Sequence, residues 1–351
     1  MAHARPPALL ALDPRHVPEL FPPEVLARLT GLVELGRPSA AGQAHRDGPL
    51  VAARFDDPAD TAVRQALARA EVLITGWGCP PVDATVLAAA PRLRAVVHTA
   101  GSVKSLVTEA CWERGIAVSS GADTNGVPVA EFTLAAVLFA GKGVFAARER
   151  MRAERGALSP FELGSGIGNF GRRVGIIGAS RIGRRVIELL RPFDLEVWLS
   201  DPYVDAAAAR SLGVRPAGLD ELLASCEVVS LHAPTLPETY RMLDRERLAL
   251  LPDGAVLINT ARGALIDTAA LTDEVASGRI TAVLDVTDPE PLPPDDRLLD
   301  LPGAFLTPHL AGSLGNELER LGSAAVDEVE RLAAGAPFAR AVRRADLARS
   351  G

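Results

Sequence analysis

Cysteine is scarce in this chain. Of 351 residues only Cys79, Cys111 and Cys226 are cysteine, with no CxxC pair and no histidine at ligand spacing from them. That count excludes a disulfide framework and a zinc site, and no metal is expected. An excess of positive charge is missing as well: 37 Lys and Arg stand against 44 Asp and Glu, a net charge of −7. Binding to a phosphate backbone draws on clustered cations, so nucleic acid is not expected as a partner. The local arginine groups, Arg148, Arg150, Arg152 and Arg155, then Arg340, Arg343 and Arg344, read as solvated helix faces or ends. Long apolar runs are also lacking. Ala8 to Leu12 is too brief for a signal segment and is closed by Asp13-Pro14. Nowhere does the chain approach the ~18 uninterrupted apolar residues of a membrane span. No membrane partner and a cytoplasmic location are expected. There is no internal repeat, and no low-complexity segment beyond the proline-rich Pro289 to Pro294.

What is present is enough for a sizeable core, 48% hydrophobic and 23% charged residues, at a length that suits two domains. Short β-branched runs alternate with helical patterns. The first lobe offers Glu71 to Thr75 and Arg94 to His98. The second offers Arg173 to Ile177, Leu195 to Leu199, Glu227 to Leu231, Ala255 to Asn259 and Thr281 to Asp285. Alternation of this kind predicts an α/β fold with parallel sheets and crossover helices. Strands with little polar alternation predict sheets covered on both sides. Val127 to Lys142 reads as a helix bridging the lobes, Gly156 to Gly171 as a surface loop, and the chain after Leu314 as a helix that could return to the first lobe.

A strand, a glycine turn and a helix follow one another at Val174 to Ile177, Gly178-Ala-Ser-Arg-Ile-Gly183 and Arg184 to Arg191. A dinucleotide site needs that order: Gly178 for the tight turn, Gly183 for close helix packing, and the helix N-terminus, through Arg181 and Ile182, for the pyrophosphate. Ser180 stands where the GxGxxG pattern has its middle glycine, and its hydroxyl can still donate to a phosphate oxygen. Asp201, just over twenty residues beyond Gly178 at the end of the next strand, suits the adenosine ribose hydroxyls and repels a 2′-phosphate, so NAD is expected.

Three further segments each follow a candidate strand end: Asn259-Thr260-Ala261-Arg262-Gly263, Asp285-Val-Thr-Asp-Pro-Glu290-Pro291 and Thr307-Pro308-His309-Leu-Ala-Gly312. With the glycine loop and Val129-Ala-Glu131, they resemble the D-isomer-specific 2-hydroxyacid dehydrogenase family from about Val72 to about Gly312. The resemblance implies an NAD-dependent oxidoreductase that moves a hydride between nicotinamide and C2 of a small 2-hydroxy or 2-oxo acid. Such a reaction needs an acid that titrates near neutrality beside the substrate oxygen, which suits histidine. The resemblance assigns His309 as acid/base, Glu290 as the carboxylate that orients it, and Arg262 as the substrate arginine, whose planar fork can hold a carboxylate or carbonyl oxygen. Asp285 would position the nicotinamide carboxamide, and His232-Ala233-Pro234 would line the cofactor with Thr260 and Ala261. Taken singly, each has a bland reading: a strand-end arginine, a structural histidine in a Pro-His turn, an exposed glutamate between prolines.

In the first lobe, His98-Thr-Ala100-Gly101-Ser102-Val-Lys104 resembles the family's substrate loop, whose backbone N–H groups would receive the substrate carboxylate. Many members carry Asp-Asn soon after the glycine, where this chain has Lys104 and Ser105. Lys104 is either a second cation for the substrate or a solvated loop lysine, and Trp77 is either interlobe packing or a substrate wall. The expected architecture is two Rossmann-like doubly wound domains with the active site in the cleft. Residues 1–122, completed by 313–351, form the substrate domain, and 123–312 the NAD domain. A homodimer through the apolar Phe132 to Phe139 face is what the resemblance implies. A rival reading keeps the fold but makes the chain an NAD(H)-sensing binding protein.

Overall fold

The computed structural model describes residues 5–36, 49–55, 60–156, 158–164 and 166–347. The first four residues and 348–351, at the two ends of the expected substrate domain, lie outside the described residues. The chain divides into two compact units, Met1–Asn125 with Ser313–Ala348, and Gly126–Gly312. Both are built on parallel sheets flanked by helices.

The first unit carries β1 (Pro7–Ala11), β2 (Glu34–Leu35), β3 (Val72–Thr75), β4 (Ala95–His98) and β5 (Ala117–Ser120), in the spatial order β2-β1-β3-β4-β5, all parallel. Strand residues divide alternately between two apolar clusters. Leu9, Leu73, Val96 and Val118 enter one, and Leu10, Ile74 and Val97 the other. Successive strand side chains point to opposite faces, so a sheet covered on both sides needs an unbroken apolar run. The helix Leu318–Ala333 covers the second face with Leu321, Ala325, Val326 and Val329. Gly322 permits its close approach, since a Cβ there would lie 1.6 Å from the Leu20 oxygen.

The second unit carries β6 (Arg172–Ile177), β7 (Leu195–Ser200), β8 (Arg215–Pro216), β9 (Val228–Leu231), β10 (Val256–Asn259), β11 (Thr281–Leu284) and β12 (Ala304–Leu306). Their spatial order is β12-β11-β10-β9-β6-β7-β8, again parallel. The chain enters at β6, winds outward through β7 and β8, then returns to the other side of β6 as β9. The reversal between β6 and β9 opens a crevice beyond their carboxyl ends, where ligands of open α/β sheets bind. Five helices of the two units begin at Asp60, Asp83, Asp205, Asp244 and Asp267. Each side chain accepts the N–H three residues on at 2.8 to 3.0 Å, a cap worth roughly 1 kcal/mol.

The expected bridging helix is longer than its pattern and runs Ala122–Gly141 with Pro128 inside it. A proline there gives up one backbone bond to the preceding turn, which hid the first turn from the sequence pattern. By length and composition this helix could cross a membrane, yet half of its most apolar window is buried. Ala130, Ala136, Val137 and Ala140 belong to the core of the second unit. The arginines of the helix Val144–Ala153 pair with neighbouring carboxylates, Arg150 with Glu154 and Arg152 with Glu149. Arg340 departs from the solvated reading. Its half-buried guanidinium lies 3.2 Å from Glu328, a carboxylate only 2% exposed that also accepts the N–H groups of Ala339 and Arg340.

Candidate active site

The glycine turn after β6 is shaped by two absences of a side chain. Gly178 has φ +96, and a Cβ on it would lie 2.7 Å from the Ala233 nitrogen; a Cβ on Gly183 would lie 2.1 Å from the Gly178 oxygen. Ser180 needs no such licence. Its φ of −62 is ordinary, it caps the helix Arg181–Leu190, and its hydroxyl accepts the Gly183 N–H at 3.3 Å. The departure from the glycine pattern is therefore accommodated without strain.

Asp201, at the end of β7, accepts the Ala179 N–H at 2.7 Å with one oxygen and the Tyr203 N–H at 2.8 Å with the other. The carboxylate is held in place, and it borders a cleft of about 310 Å³ lined also by Leu199, Val204, Pro216 and Gly218. Across the crevice, His232 is 3% exposed and its N–H closes onto the Ile177 oxygen at 2.7 Å. Its Nε2 and the Ser230 hydroxyl are 3.0 Å apart, while among the described residues Nδ1 is buried without a partner, as is the Thr235 hydroxyl. Burial pushes the imidazole down to about 3, so it is neutral. Ala233 is buried and Pro234 half-buried beside it. The sequence reading of His232 as a lining residue becomes more specific here: it packs beneath the turn.

These features fit a dinucleotide. The helix that begins at Arg181 and Ile182 presents its positive end at the turn, the glycines clear space for a backbone-close pyrophosphate, and Asp201 stands fixed at a cleft. The unpartnered polar atoms of His232 and Thr235 belong to the segment that follows β9, one of the two strands flanking the crevice.

The reacting groups come from the ends of β10, β11 and β12. Asn259, fully buried, clamps the next turn, its amide donating to the Arg262 oxygen at 2.8 Å and accepting the Ala261 N–H at 3.0 Å. The Thr260 hydroxyl meets that of Thr133 at 3.0 Å; Thr133 donates to the Val129 oxygen, so Thr260 supplies the proton between them. Arg262 is exposed, donates to the Ala261 oxygen at 2.6 Å, and makes no ion pair among the described residues. Gly263 follows because nothing larger fits. A Cβ there would lie 2.0 Å from the backbone of Thr287 and 2.5 Å from the Asp288 nitrogen.

His309 and Glu290 meet as the sequence expects, Nδ1 to Oε1 at 2.6 Å. An ionised carboxylate only accepts, so Nδ1 carries the proton and Nε2 is left for a substrate. His309 has φ +53, a left-handed conformation that L side chains rarely adopt. Below it lies Asp285, 2% exposed, which accepts from the Thr307 hydroxyl at 2.6 Å and from the N–H groups of Leu310 and Ala311 at 2.8 and 2.9 Å. Nothing in the sequence pattern marks Asn259, Gly263 or Thr307 for these tasks, although each stands inside a strand-end motif.

In the first unit, the loop after β4 gathers Ala100, Gly101, Ser102 and Lys104 in one turn. Ala100 is buried, while Ser102 and Lys104 are exposed, with the Ser102 hydroxyl accepting the Lys104 N–H at 3.4 Å. Beneath them His98, 6% exposed, shares a hydrogen bond with the Thr75 hydroxyl at 2.9 Å and another with the Ser102 backbone. Burial lowers its imidazole to about 4, partly offset by the Ser102 contact. Trp77 is 36% exposed and stands edge-on to His16 at 5.7 Å. Among the described residues no group of three or more His, Cys, Asp or Glu could hold a metal ion.

A doubly wound sheet with a glycine turn at its switch point defines a dinucleotide-binding α/β protein. Residues 134–311 match the NAD binding domain of the D-isomer specific 2-hydroxyacid dehydrogenases, and the chain belongs to that family. It is 35% identical over 281 residues to a D-3-phosphoglycerate dehydrogenase of Mycobacterium tuberculosis, an alignment covering 80% of this chain and 52% of that protein. It is 34% identical over 236 residues to a glyoxylate reductase of Korarchaeum cryptofilum, covering 66% and 71%. The fold matches a crystal structure of a phosphoglycerate oxidoreductase from Rhizobium etli with a TM-score of 0.75 and 25% identity, over 97% of this chain and 99% of that one. The chain spans about half the length of the phosphoglycerate dehydrogenases it matches.

Proposed function

We propose that this protein is an NAD-dependent dehydrogenase that interconverts a small 2-oxo acid and its 2-hydroxy acid. The observation that carries the reading is the 2.6 Å contact between His309 Nδ1 and Glu290 Oε1, at the same strand edge as the glycine turn. Bound at Gly178, Ser180, Arg181, Ile182, Gly183 and Asp201, the cofactor supplies a hydride to C2 or takes one from it. Glu290 holds the imidazole so that Nε2 gives a proton to the carbonyl oxygen in reduction and removes it from the hydroxyl in oxidation. The exposed fork of Arg262 binds the substrate carboxylate or carbonyl and stabilises the charge that develops there. The turn at Ala100, Gly101 and Ser102 offers backbone N–H groups to the carboxylate, as the family resemblance implies. Incubation with NADH and a panel of 2-oxo acids, followed by loss of nicotinamide absorbance, tests the reading. Tight NADH binding without turnover of any panel member would favour cofactor sensing instead.

A homodimer is part of the proposal. Phe139, Met151, Phe161 and Phe170 are 53%, 56%, 96% and 90% exposed, a concentration of large apolar side chains between residues 139 and 170 that suits a partner surface. Mass in solution decides this point. The three free thiols suit a reducing compartment, and the cytoplasm is the proposed location.

A further inference from the structure

We infer that Asp285 is a positioning residue for the acid/base histidine: its buried carboxylate clasps the turn 307–311 and keeps His309 in its left-handed conformation. This rests on the proposed role of His309, and it goes beyond the nicotinamide contact that the family resemblance gives Asp285.

Three donors converge on the carboxylate. Oδ1 accepts from the Thr307 hydroxyl at 2.6 Å and from the Leu310 N–H at 2.8 Å, and Oδ2 from the Ala311 N–H at 2.9 Å. The backbone of Asp285 adds a fourth tie, since its oxygen accepts the His309 N–H at 3.0 Å. A left-handed residue turns the N–H groups that follow it toward one side, forming a concavity that suits an anion. Here the residue is His309, at φ +53, and the anion is the Asp285 side chain. The two need one another. Without the carboxylate, the N–H groups of Leu310 and Ala311 lose their acceptor, and the turn loses its reason to hold a non-glycine residue at positive φ.

The carboxylate is 2% exposed, a location that an anion tolerates only when its lone pairs are satisfied. Thr307 supplies the side-chain share of that satisfaction. An ionised carboxylate has about four acceptor sites, and three of them are spent on protein donors. Asp285 therefore acts chiefly on the histidine's loop, and Thr307 acts through Asp285.

The test uses Asp285→Asn, Thr307→Val and Thr307→Ser in the full chain. The amide of Asp285→Asn places a donor against at least one of the three donors. Thr307→Val preserves shape and leaves the carboxylate itself intact. Two readouts are needed: kcat at saturating NADH beside the Kd for NADH, and, in cofactor-free protein, the His309 Cε1–H NMR signal, assigned by its loss in His309→Gln. A misplaced catalytic group costs up to about 100-fold. Expected values are a kcat roughly 10- to 100-fold lower in Asp285→Asn and a smaller loss in Thr307→Val. NADH affinity should stay within about twofold in Thr307→Val, and Thr307→Ser should restore kcat. The His309 signal should shift or broaden in Asp285→Asn and Thr307→Val and return in Thr307→Ser. An unmoved His309 signal overturns the inference. So does a defect confined to NADH affinity with wild-type kcat. If the wild type turns over no 2-oxo acid, the proposed function fails, and the NMR comparison still decides whether Asp285 positions His309.

Discussion

Each unit buries a neutral histidine at the carboxyl end of a parallel strand, beside a glycine-containing turn, and the two histidines are wired differently. His98 in the first unit is tied to the Thr75 hydroxyl and the Ser102 backbone. His232 in the second bonds Ser230 with one nitrogen and leaves the other buried, with no partner among the described residues. In the first turn the imidazole has partners, and it is the neighbouring Thr99 hydroxyl that lies buried without one among the described residues. In the second the unmet atom belongs to the imidazole itself, with the Thr235 hydroxyl close by in sequence, among the described residues; an unsatisfied ring nitrogen beside a glycine turn suits a surface built around a ligand. Around them the units diverge further: the strand ends of the second carry Arg262, Glu290 and His309, whereas the first offers a backbone turn with one exposed lysine.

That division of labour can be broken most directly at His309. His309→Gln is expected to lower kcat by about 10²- to 10⁴-fold, the usual worth of a general acid/base, with NADH affinity nearly unchanged. Arg262→Lys should follow as the next largest loss, because an ammonium keeps the charge but not the fork. Near wild-type steady-state kinetics in either variant would take the chemistry away from the second unit.

NADH is expected to support turnover at least tenfold better than NADPH, since the fixed carboxylate of Asp201 opposes a 2′-phosphate. Equal kcat/KM for the two cofactors would remove that role. The paired histidines offer a smaller test. Their folded-state values, about 4 for His98 and about 3 for His232, lie below the ordinary 6.5. Their contribution is therefore complete above about pH 6.5 and lost as pH falls toward the folded values, by up to about 1.4 kcal/mol per pH unit for each. Urea unfolding of His98→Gln between about pH 6 and pH 4.5 should show a slope shallower by roughly that amount; an unchanged slope would mean that His98 is protonated in the folded protein. The smallest effect is expected at Lys104. Lys104→Ala should alter kcat/KM for a 2-oxo monocarboxylate and a 2-oxo dicarboxylate alike, within about twofold. A selective loss for the dicarboxylate would give the first unit a cation in substrate recognition.

Much of this arrangement was legible in the sequence, because strands covered on both faces announce themselves as apolar runs; the seven expected strands all appear, with ends displaced by at most one residue. Four of the strands that escaped, Glu34–Leu35, Ala117–Ser120, Arg215–Pro216 and Ala304–Leu306, are the edges of the two sheets, whose pairing depends on neighbours distant in sequence, whereas Pro7–Ala11 is internal and reads in sequence only as a brief apolar run closed by Asp13-Pro14. The pairing of His309 with Glu290 was implied by the family resemblance of their motifs. The support beneath it was not. Asn259 clamps a turn, Thr307 reaches back 22 residues to Asp285, and neither act leaves a periodicity or a charge pattern to read.

The missing side chain of Gly263 lets two loops share a wall. The Arg262 turn and the 285–290 segment touch backbone to backbone there, closer than any Cβ allows. The arginine and the glutamate are thereby mounted on a single rigid bracket, and neither loop can be lengthened, swapped or drift under selection without carrying the other along. Anyone transplanting specificity between relatives would move 259–263 and 285–290 as one cassette.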